Sequence, residues 1–388
     1  MLEGVRVIEV SHAVAGPTAS QILADYGAEV IKIERPAGGD IFRDVPGMGP
    51  TMFLAVNRGK KSVAIDLKTR EGLYLFYELA KKSDVIVENL GPGVAEKLGI
   101  TFRKIQKTNP RIVYCKIESF GSGPFQNVPA FDPILQASVG IMSTTGFPPD
   151  RYARAGISVV DMAAGMHAAC GILSLLFAQV KNGQKGAELK VSLYDAAAYF
   201  MSYWVSMFDL YGKDTSPLGS GHIFGAPYNL FKTKDERIYI AVANDRTWQA
   251  FCKSLSFSDL LNDERFQTGR DRVAKKKILE ALVQKKLKET RYSEIEEALI
   301  NSGVPFGKFN TVKTLLRDQH FLGREILRKY KYGKKPFRTI VNPAVVSGKR
   351  PVASDAPPVL GADTEKVLQT VLGMDPKELQ RLKTKRII

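Results

Sequence analysis

Over residues 1–115 the chain alternates short apolar runs with longer amphipathic segments. Residues 5–10 (VRVIEV), 29–34 (EVIKIE), 62–66 (SVAID), 84–88 (DVIVE) and 112–117 (IVYCKI) read as strands, since each is short, rich in β-branched residues and bounded by turn formers. Residues 18–26, closed by Gly27, and residues 70–81 read as helices. Strands that are nearly continuous in apolar residues, separated by helix-length segments, are buried on both faces. The pattern therefore predicts an α/β fold with a mostly parallel, Rossmann-like sheet and helices on both faces. Ligands of such sheets gather beyond the carboxyl ends of the strands. Here those ends are residues 11–17, 34–40, 66–68 and 89–93.

Further along, residues 166–180 are a long apolar run that suits a buried helix. Residues 216–226 read as loop, 237–242 as a strand, and 245–300 as mostly helical, with Trp248, Phe251 and Leu255 on one face. A turn follows at 303–307. From about 340 the chain is rich in Pro and Ala, before a closing helix near 365–372. This organisation predicts a large, discontinuous α/β domain of residues 1–215 and 331–388, with a smaller α+β domain at 216–330.

Composition narrows the function classes. With 388 residues, 44 % hydrophobic and 25 % charged, the chain has ample core for two or so domains. Residues 1–10 pattern as a strand and not as a charged-then-apolar leader. No apolar run reaches membrane-spanning length, so a cytoplasmic protein without membrane association is expected. Three widely spaced cysteines, Cys115, Cys170 and Cys252, suggest neither a disulfide framework nor a metal site. The four histidines lack ligand spacing. The net charge of +16 raises nucleic acid as a partner, but no nucleic-acid motif accompanies it. The densest basic runs, at 275–277 and 285–286, flank Ile278, Leu279, Leu282 and Val283 on an amphipathic pattern, which suits a solvated helix face. A basic surface also steers polyanionic small molecules. Gly91-Pro92-Gly93 fails the dinucleotide fingerprint, because the third glycine falls at Glu96.

Asp161 is the one acid in Gly156-Ile-Ser-Val-Val-Asp161-Met-Ala-Ala-Gly165, directly before the apolar run. Two readings fit. It is an N-cap that accepts the amides of the first helical turn, or it is a desolvated carboxylate nucleophile toward an activated acyl group.

The motifs taken in order resemble the family III CoA-transferases, the group that includes formyl-CoA transferase and the carnitine and bile-acid CoA-transferases. They are Val14-Ala-Gly-Pro17, residues 24–35 (ADYGAEVIKIER), Gly39-Asp40, Asn57-Arg-Gly-Lys-Lys-Ser62, Asp66-Leu-Lys68, and residues 84–89 with Gly91-Pro-Gly93. Pro129-Ala-Phe-Asp132, Asp161, Gly225-Ala-Pro-Tyr228 and Val304-Pro-Phe-Gly307 follow. The resemblance implies an interlocked homodimer. It also implies an acyl-CoA:carboxylate CoA-transferase with Asp161 as nucleophile, working through an aspartyl anhydride and an aspartyl-CoA thioester. Coenzyme A thioester and a carboxylic acid acceptor would be its substrates, with no permanently bound cofactor and no metal.

The same resemblance implies CoA contacts at Val14, Arg35, Ile65, Leu67, Lys68, Asn89, Leu90 and Lys97, and an active-site loop at Gly219 and Gly221. Lys97 stands where relatives carry arginine, which keeps the charge but loses the bidentate fork. Pro129 stands where formyl-CoA transferase has a lysine. Racemases of the same fold place a histidine directly before the acid at Asp132. Phe131 stands there, and it cannot take a proton. Asp132 itself reads either as an acid that assists Asp161 or as a structural carboxylate at a turn. A 2-methylacyl-CoA racemase and a non-catalytic CoA-binding protein are the competing functions.

Overall fold

The computed structural model describes residues Met1–Ile388. Strands β1 (Arg6–Ser11), β2 (Glu29–Glu34), β3 (Lys61–Ala64), β4 (Val85–Asn89) and β5 (Val113–Glu118) join a sixth, Glu188–Ser192, in one sheet. Its order is β3-β2-β1-β4-β5 and then Glu188–Ser192, and every neighbouring pair is parallel. The order reverses between β1 and β4, so the crevice of this doubly wound sheet opens between the 11–17 turn and the segment after Asn89.

Alternation along the strands builds two cores. Val7, Val30, Val85, Val87 and Val113 face helix α1 (Ala15–Asp25) and the long helix Val159–Asn182. Ile8, Ile31, Ile33, Ile86 and Tyr114 face the helices Arg70–Lys81, Thr364–Leu372 and Pro376–Thr384. The period of two sends successive residues to opposite faces.

Backbone contacts divide the chain into two compact units: residues 1–142 with 154–214 and 325–388, and residues 143–153 with 215–324. The sequence-based boundaries assigned 143–153 to the large domain. Instead this stretch forms a two-strand hairpin, Gly146–Phe147 with Arg151–Tyr152, that accepts a hydrogen bond from Gly219 N at Gly146 O, 2.7 Å. The second unit also holds a three-stranded antiparallel sheet of Tyr228–Lys232, Arg237–Ala241 and Phe306–Lys308. Helices such as Asp245–Ser254 and Tyr292–Ser302 pack around its core of Trp248, Phe251, Phe266 and Leu299.

Helix Val159–Asn182 is long and apolar enough by composition to cross a membrane, so the expected absence of any such segment does not hold on length alone. Its small face, Ala163, Ala164, Gly165, Ala168 and Ala169, is buried instead in the core. Cys170 lies on the opposite, exposed side, while Cys115 and Cys252 are buried.

Candidate active site

The long helix begins at Val159, so Asp161 is its third residue and not its cap. Ser158 occupies the N-cap position and makes no side-chain capping bond. The capping carboxylate comes from elsewhere in the chain. Asp132 Oδ2 accepts Val160 N at 2.7 Å and Asp161 N at 3.2 Å. Asp132 opens helix Asp132–Ser138, is buried, and is held from behind by Gln136, whose Nε2 donates to Oδ1. Gln136 Oε1 in turn accepts Ala155 N at 2.8 Å. Both Asp132 oxygens are thus used within the fold, Oδ2 by two helix amides and Oδ1 by Gln136. Of the two readings of Asp132, the geometry fits the structural carboxylate, and its charge also acts on its neighbour.

Asp161 is thereby spared the capping role. Its carboxylate is largely buried and makes no hydrogen bond or ion pair. Burial, and after it the negative charge of Asp132, push its pKa up to about 7. An anion with no partner in a poorly solvated position is a reactive one. Phe131, beside Asp132, is exposed and offers no titratable group.

The residues expected to contact CoA are distributed along the carboxyl edge of the parallel sheet. Val14 follows β1, Arg35 follows β2, Ile65, Leu67 and Lys68 follow β3, and Asn89 and Leu90 close β4. Arg35, Lys68 and Lys97 are exposed cations. Several of the others are committed within the fold. The Val14 and Ile65 side chains are buried, at 6 % and 1 % exposure. Asn89 bridges the crevice, accepting Gly16 N at 3.4 Å and donating to Ile117 O at 2.9 Å. Leu90 N donates to Glu88 Oε1 at 2.7 Å, and burial pushes the Glu88 carboxyl up to about 7. Gly219 and Gly221 lie in the second unit; Gly219 has φ +62°, and a Cβ there would meet the Phe147 ring at 3.1 Å. No grouping of three or more His, Cys, Asp or Glu side chains suits a metal ion.

Sequence reasoning missed a buried charged cluster beneath the 11–17 turn. Lys32 Nζ, fully buried, contacts Glu9 Oε1 at 2.5 Å, Asp40 Oδ2 at 2.9 Å and Ser11 O at 2.9 Å. Lys60 Nζ contacts Glu9 Oε2 at 2.7 Å, Pro17 O at 2.8 Å and Asn57 Oδ1 at 2.9 Å. Burial alone would raise the Glu9 carboxyl, but the two ammonium groups hold it below the usual carboxylate range. The available signal was a charge at alternate positions of otherwise apolar strands, Glu9 in β1 and Lys32 in β2.

Residues 2–364 match CoA-transferase family III. The chain is 36 % identical over 313 residues to acetyl-CoA:oxalate CoA-transferase of Acetobacter aceti, covering 79 % of each chain. It is 31 % identical over 387 residues to human succinyl-CoA:glutarate CoA-transferase, covering 98 % of this chain and 88 % of that one. A crystal structure of a CAIB/BAIF family protein from Brucella suis superposes with a TM-score of 0.84 at 30 % identity, covering 95 % of this chain and 99 % of that one. With motifs, fold and relatives in agreement along nearly the whole chain, this protein belongs to CoA-transferase family III, enzymes that exchange CoA between acyl-CoA thioesters and carboxylates.

Proposed function

We propose that this protein moves CoA from a short acyl-CoA to a short dicarboxylic acid through covalent chemistry on Asp161. The observation that carries the reading is the division of labour at the helix start: Asp132 takes the amides, and Asp161 is left desolvated and without a partner. An Asp161 oxygen attacks the thioester carbonyl, and CoA thiolate leaves to give an aspartyl anhydride. The thiolate then attacks the aspartyl carbonyl, expelling the donor acid and forming an aspartyl-CoA thioester. The acceptor carboxylate attacks that carbonyl and expels thiolate again. Thiolate finally attacks the acceptor acyl group and frees Asp161. Each step exchanges one acyl bond for another, so one hard transfer becomes several easier ones. The acceptor class is supported by the relatives, which act on oxalate and on glutarate. With Phe131 beside Asp132 there is no second base of the kind a racemase needs.

The working form in this reading is a homodimer in the cytoplasm. Met166, Phe177 and Val180 of the long helix, and Tyr203, Val205, Phe208, Leu210 and Tyr211 of helix Ser202–Tyr211, are all exposed. An apolar surface of this extent on one compact unit calls for a partner, and a second copy is the occupant the family resemblance implies. The cysteines are unbridged, as suits a reducing compartment.

The test is to incubate the protein with an acyl-CoA donor, trap with hydroxylamine or borohydride, and map the adduct by mass spectrometry. Modification is expected on Asp161 alone. A panel of dicarboxylic and monocarboxylic acceptors then reads the substrate class. An adduct on another residue, or turnover by Asp161→Ala at the wild-type rate, overturns the mechanism.

A further inference from the structure

The Asn57-Arg-Gly-Lys-Lys-Ser62 motif has no assigned role in the chemistry above, yet its side chains are spent on holding other parts of the chain. Arg58 pairs with Asp25, Lys61 with Glu29 at 2.5 Å, and Ser62 Oγ donates to Glu34 Oε1 at 2.6 Å. Lys60 is the unusual member. It is fully buried, and two of its three contacts belong to other elements, Glu9 in β1 and Pro17 in the turn and first residues of α1.

That turn lacks local support. Ala13 holds φ +65°, a left-handed conformation unfavourable for a residue with a Cβ. Val14 sits at the N-cap of α1 and makes no side-chain capping bond. The support comes from below. Lys32 Nζ donates to Ser11 O at 2.9 Å, Ala13 N donates to Asp40 Oδ1 at 3.3 Å, and Lys60 Nζ donates to Pro17 O at 2.8 Å. Both ammonium groups share Glu9, which also accepts Ser20 Oγ of α1. Buried ion pairs are seldom the most stable filling of a core, and apolar residues of the same size often do as well or better. Their retained use is to fix one geometry.

The fixed geometry matters at two places. The turn forms one lip of the crevice between the carboxyl ends of β1 and β4. It also lies under the helix that carries Asp161: a Cβ on Gly165, one helical turn beyond Asp161, would sit 2.7 Å from Ala15 O and from Thr18 Cβ. We propose that Lys60 is a positioning residue which, through Glu9 and the Pro17 carbonyl, holds the 11–17 turn in the strained shape that receives the acyl-CoA thioester. The inference rests on the CoA-transferase reading and assigns this motif a task within it. The groups facing Lys60 are Glu9 of β1, Lys32 of β2 and Asp40, which follows β2. Burial, only partly offset by Glu9, pulls Lys60 down to about 8. Its charge, and with it the hold on the turn, therefore fades as pH rises through that value.

The test uses the full chain, with acyl-CoA and acceptor varied separately. Lys60→Met keeps the stem and removes the ammonium group. The expected result is a KM for acyl-CoA raised by about tenfold or more, with the acceptor KM and kcat changed by less than about threefold. In wild type the acyl-CoA KM should climb above roughly pH 8, and in Lys60→Met that climb should vanish. An unchanged acyl-CoA KM in the variant overturns the proposal, as does a loss spread evenly over both KM values and kcat. Should the variant fail to fold, the wild-type profile decides: an acyl-CoA KM that stays flat through roughly pH 7 to 9.5 overturns it. Wild type that transfers CoA to no acceptor would defeat the CoA-transferase reading itself. Either negative result above, in an enzyme that does transfer CoA, defeats only the role of Lys60.

Discussion

Two carboxylates 29 positions apart in the chain settle opposite fates at one helix end. Asp132 is satisfied by the Val160 and Asp161 amides, whereas Asp161 has no partner and is pushed up to about 7. The proposed mechanism needs Asp161 as the anion, so it predicts that kcat/KM for acyl-CoA rises with pH through about 7. Part of that elevation comes from the Asp132 charge. In Asp132→Asn the charge is gone while one oxygen still accepts the helix amides, so the acidic limb should move to lower pH. Rates measured from roughly pH 5 to 8 check this, and a limb that stays in place rules out an electrostatic role for Asp132. Asp161 stands out in the sequence as a lone acid between apolar residues. Its apparent suitability as an N-cap misled because local sequence cannot reveal that another carboxylate arrives through the fold. The lysine–glutamate cluster stayed hidden for a related reason: a charged residue in a strand reads as a solvated face until its partners are known.

At the scale of elements, the sheet was the easiest part to read, since β1, β2 and β4 are short, β-branched and mostly apolar at their centres. The strand Glu188–Ser192 was missed. It lies at the sheet edge, two of its five residues are charged and exposed, and its parallel pairing to β5 spans a long crossover that no local signal announces. The contact of α1 with the Asp161 helix was equally invisible. Gly165 permits it, because any side chain there would collide with the Ala15 carbonyl and with Thr18. Gly165→Ala should therefore cost about 1–3 kcal/mol of stability by overpacking, despite the better helix propensity of alanine. Denaturant unfolding measures the loss. Because the same contact seats Asp161 above the turn, the variant that does fold should also lose kcat more than a surface substitution of equal stability does. Equal or greater stability than wild type would show that the two helices can part without penalty.

At the scale of the whole molecule, the exposed apolar residues of the long helix and of Ser202–Tyr211 govern behaviour in solution. Exposed Leu210, Tyr211 and Val180, each at 70 % or more, are poor terminal surface for a chain of such high net charge. The sequence marked residues 166–180 as apolar and therefore as core. It had no means of showing that only one face of the long helix is covered within its own chain. If a second copy covers the other face, folding and association are linked, and the native state is stabilised by mass action. The unfolding midpoint, measured where unfolding is reversible, should then rise with protein concentration, and light scattering should give twice the mass of the chain. Replacing exposed Phe208 and Leu210 by glutamate should weaken association, because buried like charges would face one another across a symmetric interface. Those substitutions leave the core of either unit untouched, so a variant with a lowered, more concentration-sensitive midpoint but intact secondary structure is the expected outcome. A wild-type chain that stays monomeric, with a midpoint independent of concentration, would remove the dimer from the proposed function while leaving the Asp161 chemistry standing.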